Sequence, residues 1–409
     1  MPGHDVVCGR EPEPRPRLEV ADVFRRFGRS YRNGHALSPE QAKVFDAILA
    51  CRTVALGGHL DVCSDCGFER PSYNSCFNRH CPKCQGLAAA RWVEARKRAT
   101  LPVHHFHVVF TLPAQLRPLA LHNRVPIFDL LFQAASQTLL TLGRDPRRLG
   151  ALLGLSAVLH TWTRDLTFHP HLHTIVTAGG LGGERWIGVP NERYLFPVEV
   201  MGQLFRGKFL AGLERLYSKG QLDLGGSCTH LEDSGVFRLL LDKLYRTRWR
   251  PYAERPFAGP KQVFDYLGYY THRVGISGHR LLAIDADGVR FKTKGGKSTT
   301  LTGEEFIRRF LLHVLPRGFV KIRHYGLMTA TARAERALAR VALGGSHRPV
   351  PDELEPQPLE PAVDTSTSLL EAARTCPNCG RLSLVPRPLY EPSPHQRPPP
   401  PPAQPAAHR

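Results

Sequence analysis

The sequence predicts an α+β fold: strands interleaved with helices, in a sandwich of the α+β or α/β kind and not a bundle, behind a small zinc-ribbon-like module. Three observations predict it. Apolar runs at 107–112, 157–162 and 171–177 read as strands, and 280–292 as a further strand-rich stretch. Helical patterns at 125–142, 199–217 and 261–270 lie between them. Cysteines and histidines crowd into residues 51–84, a turn-rich stretch too small for a core of its own.

Taken in order, residues 1–35 form a disordered or partly helical segment, polar and proline-rich up to about residue 20. A zinc-binding, DNA-binding domain is expected over 36–100. It opens on a helix that Ser38 can cap, with Pro39 at the first helical position and Gln41 as the capping-box partner. Val44, Phe45, Ile48 and Leu49 give that helix one apolar face. A basic helix at 86–100 follows the cysteines, and its Arg91, Arg96, Lys97 and Arg98 are candidate DNA contacts. Residues 101–330 hold the strands and helices of a catalytic domain. Residues 331–409 read as a poorly structured basic tail, disordered or polyproline from Arg387 onward, with Pro398 to Pro402 unbroken.

The 409 residues carry 55 Lys+Arg against 36 Asp+Glu, a formal charge of +19. An acidic polymer is the partner this implies, and DNA or RNA fits better than a membrane surface because no long amphipathic basic helix is present. There is no signal peptide and no apolar run long enough to span a bilayer. A cytoplasmic, reducing, DNA-associated setting follows, in which the ten cysteines are metal ligands before they are disulfides.

Cys63-x2-Cys66 and Cys81-x2-Cys84 are two thiolate knuckles about 15 residues apart, the spacing of a four-cysteine zinc ribbon. Cys76, His80, Cys51 and His59 are further candidate donors, enough for a second zinc ion. Cys376-x2-Cys379 is half a zinc site with no visible second half. His230-x-Glu232 evokes the zinc deaminase signature, but no proline precedes a knuckle and the next knuckle is over 140 residues away, which rejects that chemistry.

Catalysis is signalled by His169-Pro170-His171-Leu172-His173. On a strand His171 and His173 point one way and Leu172 the other, so the imidazoles form a half-site for a divalent metal. A third ligand is open between His169, His160 and Asp165. Tyr266 and Tyr270 stand one helical turn apart, whereas Tyr269 points elsewhere. A metal beside two same-face phenols suggests phosphodiester cleavage through a phosphotyrosine, with one tyrosine able to hold an end while the other cuts a second strand. His272 and Arg273 follow, and Arg273 is a candidate phosphate contact.

The ordered set Cys63…Asn74-Ser75-Cys76-Phe77-Asn78-Arg79-His80-Cys81-Pro82-Lys83-Cys84-Gln85, then His107-Val108-Val109-Phe110-Thr111-Leu112-Pro113, His-Pro-His-Leu-His and Tyr266…Tyr270-Thr271-His272-Arg273 resembles the insertion-sequence-91 type of rolling-circle transposase. Ile322-Arg323-His324-Tyr325-Gly326 extends the resemblance, which runs from about Cys51 to Gly326. These enzymes belong to the two-tyrosine HUH endonuclease superfamily and have an N-terminal zinc-binding domain. The resemblance implies a ferredoxin-like antiparallel sheet with helices, His171 and His173 as the metal pair and Tyr266 and Tyr270 as nucleophiles. It also implies Mg²⁺ or Mn²⁺ for cleavage, structural Zn²⁺, and as partners the single-stranded ends of a mobile element and target DNA. Rival readings are a DNA-binding regulator without catalysis and a replication initiator or relaxase on the same core. A tyrosine recombinase is disfavoured by the histidine pair.

Overall fold

A computed structural model describes residues 18–84, 100–191, 194–257, 275–344 and 374–390. The chain enters through helix α1 (Val20–Gly34), started by a reciprocal cap between Glu19 and Asp22. Helix α2 (Pro39–Ala50) starts as its sequence demands: Ser38 Oγ accepts from Gln41 N–H at 3.2 Å, and the Gln41 side chain accepts from Ser38 N–H at 3.1 Å. The apolar faces of these helices close on a segment far downstream. The Phe24 ring packs edge-to-face on Phe45 at 4.8 Å and on Phe310 at 5.5 Å between centroids. Phe310 belongs to a later helix described below, so residues 18–50 share a core with residues 276–314.

The central sheet is formed by β3 (His105–Thr111), β4 (Leu152–Trp162), β5 (Phe168–Gly182), β7 (Tyr252–Phe257) and β11 (Ile322–Gly326). Its order is β11-β4-β5-β3-β7, with β6 (Arg185–Gly188) added to the far end of β5, and every pairing is antiparallel. Strands of period two bury one face, and here Phe110, Leu155 and Leu172 meet helices α4 (Arg124–Arg144) and α5 (Val198–Ser218). Helices α3 (Arg117–His122) and α6 (Ser234–Arg246) flank that layer. Contrary to the expectation of no bilayer-length apolar run, α4 is long and apolar enough to cross a membrane by length and composition. Its Ile127, Phe128, Leu131, Phe132 and Leu139 are instead buried inside the protein, which is why the helix is so apolar.

A three-stranded meander, β8 (Leu281–Ile284), β9 (Val289–Lys292) and β10 (Ser298–Leu301), leads into α7 (Gly303–Leu311), which carries Phe310. Gly303 lies so close to Phe27 that a Cβ there would stand 2.1 Å from the ring, so only glycine lets α1 and α7 touch.

The tail corrects one expectation. Residues 331–409 contain helix α8 (Arg333–Ala342) and strand β12 (Leu384–Tyr390), and β12 joins β1 (Gly58–Cys63) and β2 (Glu69–Tyr73) in the order β12-β1-β2. Residues from Arg387 to Tyr390, expected as disordered or polyproline, belong to this strand, and Pro386 and Pro388 are tolerated because β12 is an edge strand. The expected helices at 86–100 and 261–270 lie outside the described residues.

Candidate functional site

Strand β5 lies between β3 and β4, and its alternation sends Leu172 into the core and His171 and His173 to the opposite face. Register then supplies the neighbours: His160 of β4 stands opposite His171, and Val158 opposite His173. The ring nitrogens of His160, His171 and His173 offer ligand atoms that all lie within 4.8 Å of one another. The Nε2 atoms of His171 and His173 are 3.1 Å apart.

The far side of each ring is held. His171 Nδ1–H donates to the His169 carbonyl at 2.7 Å, which turns its Nε2 lone pair toward the cluster. His173 Nδ1 and His107 Nε2 are 2.9 Å apart, with the two rings nearly parallel. His160 stacks on Trp162 at 4.7 Å between centroids. Burial pushes His171 down to about 4, so it is neutral at physiological pH, as an imidazole ligand must be. The donor set therefore suits a divalent cation.

Of the three candidates left open as third ligand, the fold brings only His160 into this group. His169 accepts at Nδ1 from the Arg117 guanidinium at 3.2 Å, and burial with that cation pushes its pKa down. Asp165 sits in the β4–β5 turn. Its burial acts to raise the carboxyl, but hydrogen bonds from Thr163, Thr167 and backbone N–H groups outweigh it and hold the pKa low. His107 went unrecognised in sequence, although the period of β3 sets it with His105 on the face opposite Phe106 and Val108. Tyr266, Tyr270, Arg273, Arg91, Arg96, Lys97 and Arg98 lie outside the described residues, as do Tyr269 and His272.

The cysteines group differently from the expected ribbon of Cys63, Cys66, Cys81 and Cys84. Cys81 and Cys84 gather with Cys51 and Cys76, and Cys63 and Cys66 lie in a separate group with Cys376 and Cys379. The reason is the β1–β2 hairpin. Cys63 lies at its tip, about 17 Å of strand from Gly58. The chain then returns along β2, so Asn74 N–H donates to Gly57 O at the base and Cys76 arrives beside Cys51. Four sulfurs so placed cannot all ionise without a cation: Cys51 first, then Cys76 and Cys84, push the Cys81 thiol strongly up. Four thiolates are the donor set of structural zinc.

Neither candidate histidine joins a sulfur group. His59 pairs with Asp61 at 3.1 Å. His80 accepts from Leu315 N–H at 3.3 Å, and burial pushes it down to about 3. Next to it, Arg79 donates to the Phe319 and Pro316 carbonyls at 2.6 and 2.9 Å. These two residues dock the cysteine module on the segment that leads into β11.

Comparison with known proteins agrees with this architecture. A family described as "Putative transposase" matches residues 154–336, and a "Transposase zinc-binding domain" matches residues 23–112. "Putative transposase y4qJ" of Sinorhizobium fredii is 43% identical over 377 residues, covering 90% of this chain and 94% of that one. The "Transposase for insertion sequence element IS801" of Pseudomonas savastanoi pv. phaseolicola is 28% identical over 328 residues, covering 77% and 76%. No solved structure matches. With an antiparallel sheet and the Cys51, Cys76, Cys81 and Cys84 cluster where the two families match, the chain belongs to the insertion-sequence-91 type of transposases, with an N-terminal zinc-binding domain.

Proposed function

We propose that this transposase cleaves and rejoins single-stranded DNA at the ends of a mobile element through 5′-phosphotyrosine intermediates, in rolling-circle transposition. The observation that carries the reading is the convergence of His160, His171 and His173 on the face of the central sheet opposite its helical core. Mg²⁺ or Mn²⁺ held by these imidazoles would polarise the scissile phosphate and stabilise the leaving oxygen. The far hydrogen bond of His171 keeps its ring in one tautomer, and the His107 contact orients the His173 ring.

The nucleophiles in this reading are Tyr266 and Tyr270. A phenol with a pKa near 10 attacks poorly until its proton is removed or its oxygen is polarised, so the reaction needs both elements at one phosphate. Tyrosine Oη attacks phosphorus, the P–O3′ bond breaks, the 5′ phosphate stays on the tyrosine and the 3′ oxygen leaves as a hydroxyl. Attack by a 3′ hydroxyl reverses the step, so bond energy is conserved and no nucleotide cofactor is required. Arg91, Arg96, Lys97, Arg98 and Arg273 are assigned to the DNA backbone from their charge.

The test is a covalent-adduct assay: protein, labelled single-stranded DNA from both flanks of its own gene, and Mn²⁺ or EDTA, resolved on a denaturing gel. A metal-dependent band that disappears in the Tyr266→Phe/Tyr270→Phe variant is expected, with DNA binding retained. A double variant that still forms the adduct would sink the mechanism. Binding without any adduct in the wild type would instead favour a DNA-binding protein.

A further inference from the structure

The cysteines at the tip of the β1–β2 hairpin and the isolated knuckle of the tail have matching backbones. In Cys63-Ser64-Asp65-Cys66-Gly67, Gly67 N–H donates to Cys63 O at 3.0 Å and Cys63 N–H donates to Phe68 O at 2.8 Å. In Cys376-Pro377-Asn378-Cys379-Gly380, Gly380 N–H donates to Cys376 O at 2.8 Å and Cys376 N–H donates to Arg381 O at 2.7 Å. Each turn ends on a glycine in the left-handed region, φ 69° at Gly67 and 73° at Gly380, which L side chains rarely adopt. Two copies of one knuckle thus face each other, as the two halves of a zinc ribbon do.

Their sulfurs meet. Cys63 Sγ lies 3.7 Å from Cys379 Sγ across 316 positions of chain, and Cys66 Sγ lies 3.6 Å from Cys376 Sγ. All four sulfurs lie within 4.8 Å of one another. Donors already point at them: Cys66 N–H at Cys63 Sγ, 3.4 Å, and the Asn378 amide at Cys66 Sγ, 3.5 Å. The Ser383 hydroxyl is 3.0 Å from Cys63 Sγ. Such contacts stabilise thiolates and orient them as ligands. Beside the cluster Phe68 and Leu384 supply the only apolar packing that the two knuckles share among the described residues.

We propose that Cys63, Cys66, Cys376 and Cys379 bind a second zinc ion, separate from the one assigned to Cys51, Cys76, Cys81 and Cys84, and that this ion closes the chain by fastening the tail to the N-terminal domain. The ligand is a soft, tetrahedral divalent cation, because all four donors are sulfur. The zinc ribbon is split, with one knuckle before the catalytic domain and the other after it. Strand β12 follows the second knuckle directly onto β1, so the ion sets the register in which the tail completes the three-stranded sheet. The site does not depend on the cleavage chemistry proposed above.

The test counts zinc per chain by native mass spectrometry and elemental analysis on the full-length protein under reducing conditions. Two zinc ions are expected in the wild type and one in Cys376→Ser/Cys379→Ser. Cys81→Ser/Cys84→Ser reports the other site. If that variant does not fold, a second measurement decides: a protease site engineered between residues 345 and 373 is cut in the zinc-loaded protein. The tail fragment is expected to co-elute with the remainder and to separate when a chelator removes the zinc. One zinc in the wild type, two in the Cys376→Ser/Cys379→Ser variant, or a tail fragment that dissociates with both zinc ions still on the remainder, overturns the proposal.

Discussion

At the scale of the residue, His107 is the side chain that joins the histidine cluster to the rest of the sheet. Its Nε2 lies 2.9 Å from His173 Nδ1, and with a metal on His173 Nε2 it would accept the Nδ1 proton. Removing such a partner lowers metal affinity by on the order of 10- to 100-fold. For His107→Ala the Mn²⁺ concentration that half-saturates cleavage should rise in that range, with activity restored at high Mn²⁺. His107→Gln, which can place an amide oxygen near the same point, should recover much of the affinity. An unchanged Mn²⁺ dependence in His107→Ala would show that the pair has no positioning role. The His-x-His pair itself was legible because strand alternation is a local rule. His107 was not, because the strand that faces it lies 66 positions away and only register brings the two rings together.

Elements are held to one another by a few buried polar side chains, and His313, just after α7, is the clearest case. Its Nε2–H donates to Leu166 O at 3.1 Å and its Nδ1 accepts from Thr161 Oγ1 at 3.2 Å, which ties the α7 segment to the β4–β5 hairpin. Accepting at Nδ1 needs the neutral ring, and burial, helped by the Arg124 charge, outweighs the Leu166 bond and pushes the pKa down to about 3. With a folded pKa below the unfolded value of about 6.5, this stabilisation is complete above pH 6.5 and fades as pH falls toward the folded pKa. Between pH 6.5 and 5 the wild type should lose about 2 kcal/mol more stability than His313→Gln, which keeps a donor and an acceptor but does not titrate. Chemical denaturation at both pH values measures this, and equal losses in the two proteins would refute it. The periodic elements, α2, α4, α5 and β3 to β5, could be read from the chain because each carries its own apolar repeat. Strand β12 could not: from Arg387 onward the chain reads as disordered or polyproline, and only pairing with β1 at the sheet edge makes it a strand.

Across the whole molecule the formal charge of +19 sets how it meets nucleic acid. Each single-strand phosphate neutralised contributes a slope of about −0.7 to log K against log salt. If Arg91, Arg96, Lys97 and Arg98 each contact a phosphate, replacing all four with alanine should flatten that slope by about 3. A slope unchanged in the quadruple variant would place the DNA contacts elsewhere. The sequence by itself determined the thiolate knuckles and the histidine pair on a strand, and it sets Tyr266 and Tyr270 four positions apart. All of these follow from spacings within a turn, a strand or a short loop, where backbone geometry alone fixes the neighbours. Tertiary structure decided who partners whom. The hairpin separated Cys63 and Cys66 from Cys81 and Cys84, the tail returned to meet them, and sheet register brought His160 and His107 to the histidine pair. Those pairings join residues up to hundreds of positions apart, and local spacing carries no information about which distant strand lies alongside.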